Sequence, residues 1–310
     1  MRYTDSNNPN IRKASALTCC QLFVQDPIIY QTSFHAIRVV GDVITKLLEL
    51  GVADSDPDIR RTVLEALDTR FDKHLGKPEN IRSIFLAVND SDFRVRQAAI
   101  VIVGRLTEVN PAHIFPSLRK ILVNLIMGIR NSKNPKSQED GAKLVGLVIA
   151  NASRLAKPYC DTLVKILLPQ ARDPNNAVAA TTIVAIGQLA STGGTVLEPY
   201  IPIIMPTIVE ALQDLSSLRK RDAALHTLGQ LASNSGYVIK PYMDFPQLLD
   251  LLVNIIKTEQ QGALRKETIK LMGMLGALDP YKHQVSPPLL QVNAYACIAN
   301  PRIANSRHIS

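Results

Sequence analysis

The chain has 310 residues and a formal charge of +8; 46% of its residues are hydrophobic, 5% are aromatic and none is Trp. Its 35 basic residues are interleaved with 27 acidic ones and aromatic platforms are scarce, which disfavours nucleic-acid binding. No uninterrupted apolar run approaches the roughly 18 residues of a membrane span, and the four cysteines form no C-x-x-C or Cys/His cluster. We therefore expect a cytoplasmic protein with reduced thiols and protein partners, without direct membrane insertion.

In chain order, the first predicted elements are helices separated by short acidic turns. In four such turns a basic residue follows an acidic residue at the sixth position. We expect the acid to cap the next helix, where exposed N–H groups and the helix dipole favour a negative charge. We expect the base to reach the acid of a neighbouring repeat. The four pairs are Asp54 with Arg60, Asp90 with Arg96, Asp214 with Lys220, and Glu259 with Arg265.

The middle of the chain alternates two kinds of helix. Residues 118–130, LRKILVNLIMGIR, carry apolar side chains at the i, i+3, i+4, i+7 spacing of one face, which predicts an outer helix. Residues 142–150, AKLVGLVIA, are apolar almost throughout, which predicts an inner helix buried on more than one side. The polar stretch 131–141 between them is either a solvated loop, the more common case, or a loop that faces a partner.

The acid-to-base pattern is incomplete in two consecutive units. Ser137 takes the acidic position in the unit around Lys143, and Asp173 is followed at the sixth position by Ala179. Each unit of a solenoid contacts only its neighbours, so weak interfaces are where curvature can change. We therefore predict weaker coupling and a hinge between about residues 131 and 180.

A glycine recurs along the predicted inner helices at intervals of 41 to 44 residues. The pentapeptide GQLAS occurs twice, 42 residues apart, and a Pro-Tyr pair follows each copy. This period is typical of HEAT or armadillo repeats, so we predict an all-α HEAT-repeat α-solenoid of about seven antiparallel helix pairs. Glycine destabilises a helix by about 1 kcal/mol relative to Ala, and we expect close helix approach to compensate at these positions. The series is Gly104, Gly146, Gly187, Gly229 and Gly273.

The sequence carries no recognisable catalytic motif. A protein kinase needs a Gly-rich phosphate loop, a strand Lys, a catalytic-loop Asp and a metal-binding D-F-G Asp, and this set is absent. Residues 191–195, STGGT, are glycine-rich, but they lack the G-K-[ST] ending and lie between two predicted helices. We interpret them as an inter-repeat turn and assign no catalytic, cofactor-binding or metal-binding residue.

Four stretches resemble one family, and two of them, RFDKHL and LGALDPYKH, lie outside the general repeat consensus. The four stretches are NIRKASALTCCQLFVQDPIIYQTS from Asn10, RFDKHL from Arg70, TLGQLASNSGYVIKPY from Thr227, and LGALDPYKH at residues 275–283. Together they resemble the helical-repeat scaffold of the target of rapamycin (TOR) family, which are phosphatidylinositol-kinase-related serine/threonine protein kinases. The resemblance covers residues 10 to 285. It implies a fragment, or a truncated gene model, from the N-terminal or middle helical portion, with the kinase domain far downstream.

The resemblance implies a non-catalytic scaffold in TOR signalling, which controls growth in response to nutrients. The implied partners are raptor-like accessory subunits and a second TOR copy, and the location is cytoplasmic, with endomembrane surfaces reached through the complex. ATP and Mg would bind in the kinase domain of the parent family, and this chain itself would hold no cofactor. The alternative is a free-standing HEAT adaptor of the transport-receptor or phosphatase-scaffold kind.

The end of the chain departs from both the repeat and the family. Residues 286–310 carry several prolines and no amphipathic period. We expect a solenoid over residues 1–285 and an atypical tail over residues 286–310 that is disordered or a gene-model artefact, with a genuine lineage-specific tail as the second interpretation.

Overall fold

The computed structural model describes residues 2–23, 34–235 and 240–275, and every regular element in these ranges is helical. The prediction of an all-α fold is confirmed. Thirteen of the described helices have ten residues or more. They are α1 (Pro9–Leu22), α2 (Phe34–Ala53), α3 (Pro57–Ala66), α4 (Pro78–Ala87), α5 (Phe93–Val109), α6 (Pro111–Asn131), α7 (Pro135–Asn151), α8 (Cys160–Gln170), α9 (Asn176–Gly193), α10 (Ile201–Gln213), α11 (Leu218–Ser235), α12 (Gln247–Thr258) and α13 (Gly262–Leu275).

The helices from α2 to α13 form six consecutive packed pairs. Turns of three to five residues join the two helices of each pair, and such short connections require antiparallel neighbours. The second helix of each pair also packs against the second helix of the next pair, and α1 continues this stack at the N-terminal end by packing on α3. Six pairs and one additional inner helix agree with the predicted α-solenoid of about seven pairs.

Inner and outer helices differ in how much of their surface is buried. The outer helix α6 buries a single stripe, Ile114, Leu118, Leu122, Ile126 and Ile129. The inner helix α9 buries twelve of its eighteen residues, because it packs against α7, α8 and α11 at once. These two patterns are the ones that apolar spacing predicts for a one-sided and a many-sided helix.

Helix α6 is long and apolar enough to cross a membrane by length and composition. In this structure its apolar stripe packs against α5 and α7 instead. Core helices of soluble proteins commonly pass the same test, so the length of α6 alone does not define its environment.

Candidate functional site

The turns between outer and inner helices share one hydrogen-bonded arrangement. The acidic side chain accepts a hydrogen bond from the backbone N–H two residues later, at 2.9 Å for Asp54, 2.8 Å for Asp90 and 2.9 Å for Asp214. The residue at that later position caps the helix: Asp56 caps α3 and Asp92 caps α5. The expectation that Asp54 and Asp90 are themselves the caps is therefore wrong, because their carboxylates fold onto the turn.

Two arginines join consecutive inner helices through these acids. Arg12 donates from Nε and Nη2 to the two carboxylate oxygens of Asp54, at 2.7 and 2.9 Å. Arg60 makes the same pair of bonds to Asp90, at 2.7 and 2.8 Å. In both arginines Nη1 donates to a backbone carbonyl of the arginine's own turn. We call each such inter-repeat ion pair a rung and the row of rungs the ladder.

The rungs are largely shielded from water. The side chains of Asp54 and Asp90 are 3% and 7% exposed. Hydrogen bonding from Arg12 lowers the pKa of Asp54. Burial of Asp90 opposes its ionisation, but hydrogen bonds from Arg60 and from the Asp92 N–H outweigh burial and lower its pKa. Both acids are therefore charged at neutral pH, and the two-pronged arginine contacts fix the angle as well as the distance between units.

The ladder differs at the C-terminal end of the described chain. The expectation that Lys220 reaches the acid of a neighbouring repeat is wrong, because Lys220 binds Asp214 of its own turn at 2.9 Å. The neighbouring Arg221 reaches the next repeat instead: its Nη1 lies 3.0 Å from a carboxylate oxygen of Glu259, and both side chains are nearly buried. Arg265 is exposed, and no rung starts from it within the described residues.

The ladder is interrupted where α5 meets α7. The turn before α7 has the same geometry as the others, with neutral side chains in both key positions. Ser132 Oγ accepts from the Asn134 N–H at 3.2 Å, as Asp54 accepts in its turn. Gln138 Nε2 donates to the Ser132 carbonyl at 2.9 Å, as Arg60 donates to Asp54. Ser132 is therefore the residue in the acidic position, and it offers no charge to the preceding unit.

This placement corrects the expectation that Ser137 and Lys143 occupy the key positions of that unit. Asn134 caps α7, so Ser137 lies exposed in the first turn of the helix. Lys143 lies six residues, nearly two turns, further on. Its Nζ is 3.0 Å from Glu139 and 5.5 Å from the ring centre of Phe93. The key positions are Ser132 and Gln138, five residues earlier than expected, because α7 begins at Pro135 and its cap is Asn134.

An ion pair that skips one repeat strengthens the middle of the solenoid. Arg219 at the start of α11 donates to Glu139 of α7 at 2.9 Å and to the Thr181 hydroxyl of α9 at 3.3 Å. Burial raises the pKa of Glu139, but hydrogen bonds from Lys143 and Arg219 outweigh burial and lower it to about 2. The contacts of α9 with α7 and α11 are also the most extensive between any described helices. These contacts argue against weaker coupling between α7, α9 and α11. The α5–α7 junction, which also falls within residues 131–180, has no rung, and the hinge stays a prediction.

Two glycines of the series lie where inner helices touch. A Cβ at Gly104 would overlap Asn151 at the end of α7, including its backbone carbonyl. A Cβ at Gly187 would overlap the side-chain oxygens of Gln230 and Thr227 on α11. At Gly104 only glycine allows this approach, because the facing atoms include backbone. At Gly187 the end of the Gln230 side chain can move, and the Thr227 hydroxyl, held by its bond to the Ile183 carbonyl, sets the limit.

The other glycines of the series are less constrained. A Cβ at Gly146 would lie 3.5 Å from Ala185, an ordinary contact, and one at Gly229 would lie 3.1 Å from the terminal methyl of Met274. At Gly273 a Cβ would meet nothing within 4 Å among the described residues. The period therefore marks equivalent positions, while the space around each position depends on the side chains of the next helix.

The described residues hold no cluster of three or more His, Cys, Asp or Glu side chains able to bind a metal ion. Burial raises the pKa of the Cys20 thiol to about 11 and also raises that of Cys160, so both are protonated at neutral pH. The glycine-rich stretch closes α9 at Gly193, and Gly194, with φ of 53°, opens a short 3-10 helix. A positive φ explains the second glycine of this turn.

The fold and the ladder together define a class of protein, the HEAT-type helical solenoid. The karyopherin Kap121p, in its crystal structure bound to Pho4p, superimposes with a TM-score of 0.64 at 17% identity, covering 96% of this chain and 31% of that one. Kap121p bound to the SUMO protease Ulp1p gives a TM-score of 0.62 at 16% identity, covering 87% and 28%. At these identities the likeness concerns the fold alone.

The sequence gives the particular family. Serine/threonine-protein kinase TOR2 of Saccharomyces cerevisiae is 44% identical over 282 residues, which cover 91% of this chain and 11% of TOR2. The kinase tor1 of Schizosaccharomyces pombe is 45% identical over 284 residues, covering 91% and 12%. TOR of Arabidopsis thaliana is 36% identical over 299 residues, again covering 91% and 12%. The resemblance to the target of rapamycin family is confirmed, and the chain corresponds to a segment of TOR-type proteins.

A family model points the same way. Residues 238–300 match the model described as the serine/threonine-protein kinase mTOR domain. The matched range extends beyond residue 285, the end of the predicted solenoid, into residues outside the described part of the chain. The chain spans 11% to 12% of the length of the relatives above, so the activity and partners of those longer proteins are not properties of this segment by similarity alone.

Proposed function

We propose that this chain is a non-catalytic helical-repeat scaffold segment of a TOR-type serine/threonine protein kinase, and that it holds accessory subunits in TOR signalling. The observation that carries the proposal is the match of 91% of the chain to TOR kinases, over a fold made of stacked helix pairs. A solenoid offers a long surface from many equivalent positions and suits the binding of extended partners.

The proposal includes the chemistry of the parent proteins. ATP and Mg would act in the kinase domain of the relatives, and this segment would hold neither. Raptor-like accessory subunits and a second TOR copy are the proposed partners, and the cytoplasm is the proposed location, with endomembrane surfaces reached through the complex. The likeness to Kap121p supports the solenoid fold and gives no support to a free-standing transport adaptor.

The test combines a binding measurement with a check for nucleotide binding. Purified chain titrated with a purified raptor-like subunit in a calorimeter should form a saturable complex. The same chain titrated with MgATP should give no binding heat, and it should not phosphorylate a protein substrate. Saturable nucleotide binding that is lost on changing residues 191–195 would contradict the non-catalytic assignment. No complex with the subunit, together with unchanged subunit binding by a TOR protein lacking this segment, would contradict the scaffold assignment.

A further inference from the structure

Arg96 has the position of a ladder arginine without the acid that completes a rung. Its Nη1 donates to the carbonyls of Asp90 and Ser91 at 2.8 and 3.2 Å, as the Nη1 atoms of Arg12 and Arg60 donate in their own turns. The Nε and Nη2 edge holds a carboxylate in those two arginines. In Arg96 no carboxylate of the described residues lies within ion-pair distance of this edge, because the facing turn carries a serine.

The missing rung coincides with an opening in the solenoid. A cleft of about 490 Å³ lies between the inner helices α5 and α7, the outer helix α6 and the turn that follows α4, with Arg96 in its wall. At their other ends α5 and α7 touch at Gly104 and Asn151. The two inner helices therefore touch at one end, and the cleft opens near the other end, where an acid would have completed the rung.

The walls of the cleft favour an acidic group on a peptide. Asp140, the acid that lines it, pairs with Lys136 at 3.2 Å and makes no ion pair with Arg96, whose guanidinium lies over the Phe93 ring at 5.4 Å from its centre. The amide side chains of Asn89 and Asn124 also line the cleft. An amide both donates and accepts hydrogen bonds, as the backbone of an extended peptide requires.

We propose that this cleft binds an acidic side chain on an extended segment of a partner protein, with the Nε and Nη2 edge of Arg96 holding the carboxylate as Arg12 holds Asp54. The proposal rests on the scaffold function above and specifies the chemistry of the bound segment. The two complete rungs show the geometry, and the partner supplies in trans the acid that Ser132 does not supply in cis. A charged, two-pronged contact of this kind is among the stronger hydrogen-bonded contacts in proteins.

The test uses two fluorescein-labelled peptides, GSDDDSG and its neutral counterpart GSNNNSG, in anisotropy titrations of the chain. The acidic peptide should bind at least about tenfold more tightly than the neutral one, and Arg96→Gln should remove that preference. Arg96→Lys should remove it as well, because a lysine keeps the charge and loses the fork. Arg94→Gln is the matched control: Arg94 is exposed, lies two positions away and should change binding less than twofold.

A second variant completes the rung from within the chain. Ser132→Asp should pair with Arg96, abolish binding of the acidic peptide and raise the melting temperature by about 2–4 °C. The proposal is overturned if Ser132→Asp leaves peptide binding unchanged, if Arg94→Gln weakens it as much as Arg96→Gln, or if inorganic phosphate binds with the same Arg96 dependence while the acidic peptide does not bind.

These outcomes are separate from those of the scaffold test. Loss of the peptide site with undiminished binding of the raptor-like subunit removes the cleft proposal and leaves the scaffold in place. Peptide binding that depends on Arg96 in a chain that binds no accessory subunit removes the scaffold proposal and keeps the cleft.

Discussion

The first units and the middle units of this solenoid are held together by different forces. Helices α1, α3 and α5 are joined at their turns by the Arg12–Asp54 and Arg60–Asp90 rungs. Helices α7, α9 and α11 pack through small side chains along their lengths and through neutral bonds, such as Thr227 Oγ1 to the Ile183 carbonyl at 2.9 Å. The same repeat period therefore supports a charged junction in one region and a packed junction in the other.

The difference teaches what a repeat period determines. It fixes where equivalent helices lie, while the side chains decide how closely neighbours approach. Small residues let backbones come together, so dispersion contacts dominate the packed junction. In the charged junction, the long side chain of an arginine crosses from one unit to the next. Its Nε and Nη2 atoms donate to the carboxylate of the facing aspartate. A packed junction responds to added volume, whereas a charged junction responds to the loss of one charge, and this contrast can be tested.

The largest effect is expected from breaking a charged rung. Asp90→Asn keeps an acceptor for the Asp92 N–H and turns a donor toward Arg60, whose side chain is 11% exposed. A nearly buried arginine without its counter-charge should lower the free energy of unfolding by about 3 kcal/mol in urea denaturation. Asp92→Asn is the control, because Asn caps a helix as well as Asp does, and it should change stability by less than about 0.5 kcal/mol. If Asp90→Asn changes the free energy of unfolding as little as Asp92→Asn does, the rung contributes nothing to stability.

A somewhat smaller effect is expected from adding one methyl group to the packed junction. Gly187→Ala would place a Cβ against Gln230 and Thr227, and the overpacking should destabilise the chain by about 2 kcal/mol. Gly128→Ala is the control: a Cβ there meets nothing within 4 Å, and the better helix propensity of Ala should stabilise by about 0.5–1 kcal/mol. If both variants stabilise the chain, α9 and α11 are not in tight contact at this position.

The smallest effect concerns Glu139, whose link to Arg219 is less exposed than the other inter-repeat ion pair of the middle region, Arg172–Glu210. Glu139 has its pKa lowered from an ordinary 4.5 to about 2. A depressed acid pKa contributes stability that is complete above about pH 4.5 and is lost as the pH falls through about 2. Glu139→Gln should therefore lower stability by about 1 kcal/mol at pH 7, and the difference from wild type should vanish near pH 2. Urea midpoints at several pH values measure it.

A matched control for that experiment is Glu108→Gln. Glu108 pairs with Arg154 at 3.4 Å, and both side chains are more than half exposed, so its removal should have almost no effect. A pH-independent loss in Glu139→Gln would mean that the link to Arg219 acts through packing rather than charge.

The sequence alone predicts the helices and their period well, because both depend on local apolar spacing. The sequence also distinguishes the outer helix α6 from the inner helix α7. A single apolar stripe predicts burial of one face, and an apolar pattern all round predicts burial of several faces. The location of the ladder was harder to read. In the first turn Asp56 caps the helix while Asp54 accepts the rung from Arg12, and telling these two acids apart requires the fold of the turn.

Two further contacts could not be predicted from the sequence around them. Arg221 replaces Lys220 as the arm that reaches Glu259, because helix rotation decides which of two adjacent bases faces the next unit. Glu139 and Arg219 lie 80 residues apart, and only the stacking of three inner helices brings them together. A search for acids left unpaired by the regular spacing would have found Glu139 as a candidate but not its partner.

The direction of the rungs matters while the chain is being made. In both N-terminal rungs the arginine precedes its acid, so the arginine has already been synthesised when its acid leaves the ribosome. The Glu139–Arg219 link reverses this order. At synthesis rates of roughly 5–20 residues per second, Glu139 waits about 4–16 s for its arginine. During that interval Lys136 and Lys143 of the same helix are its counter-charges, so the half-made solenoid never carries an isolated buried acid.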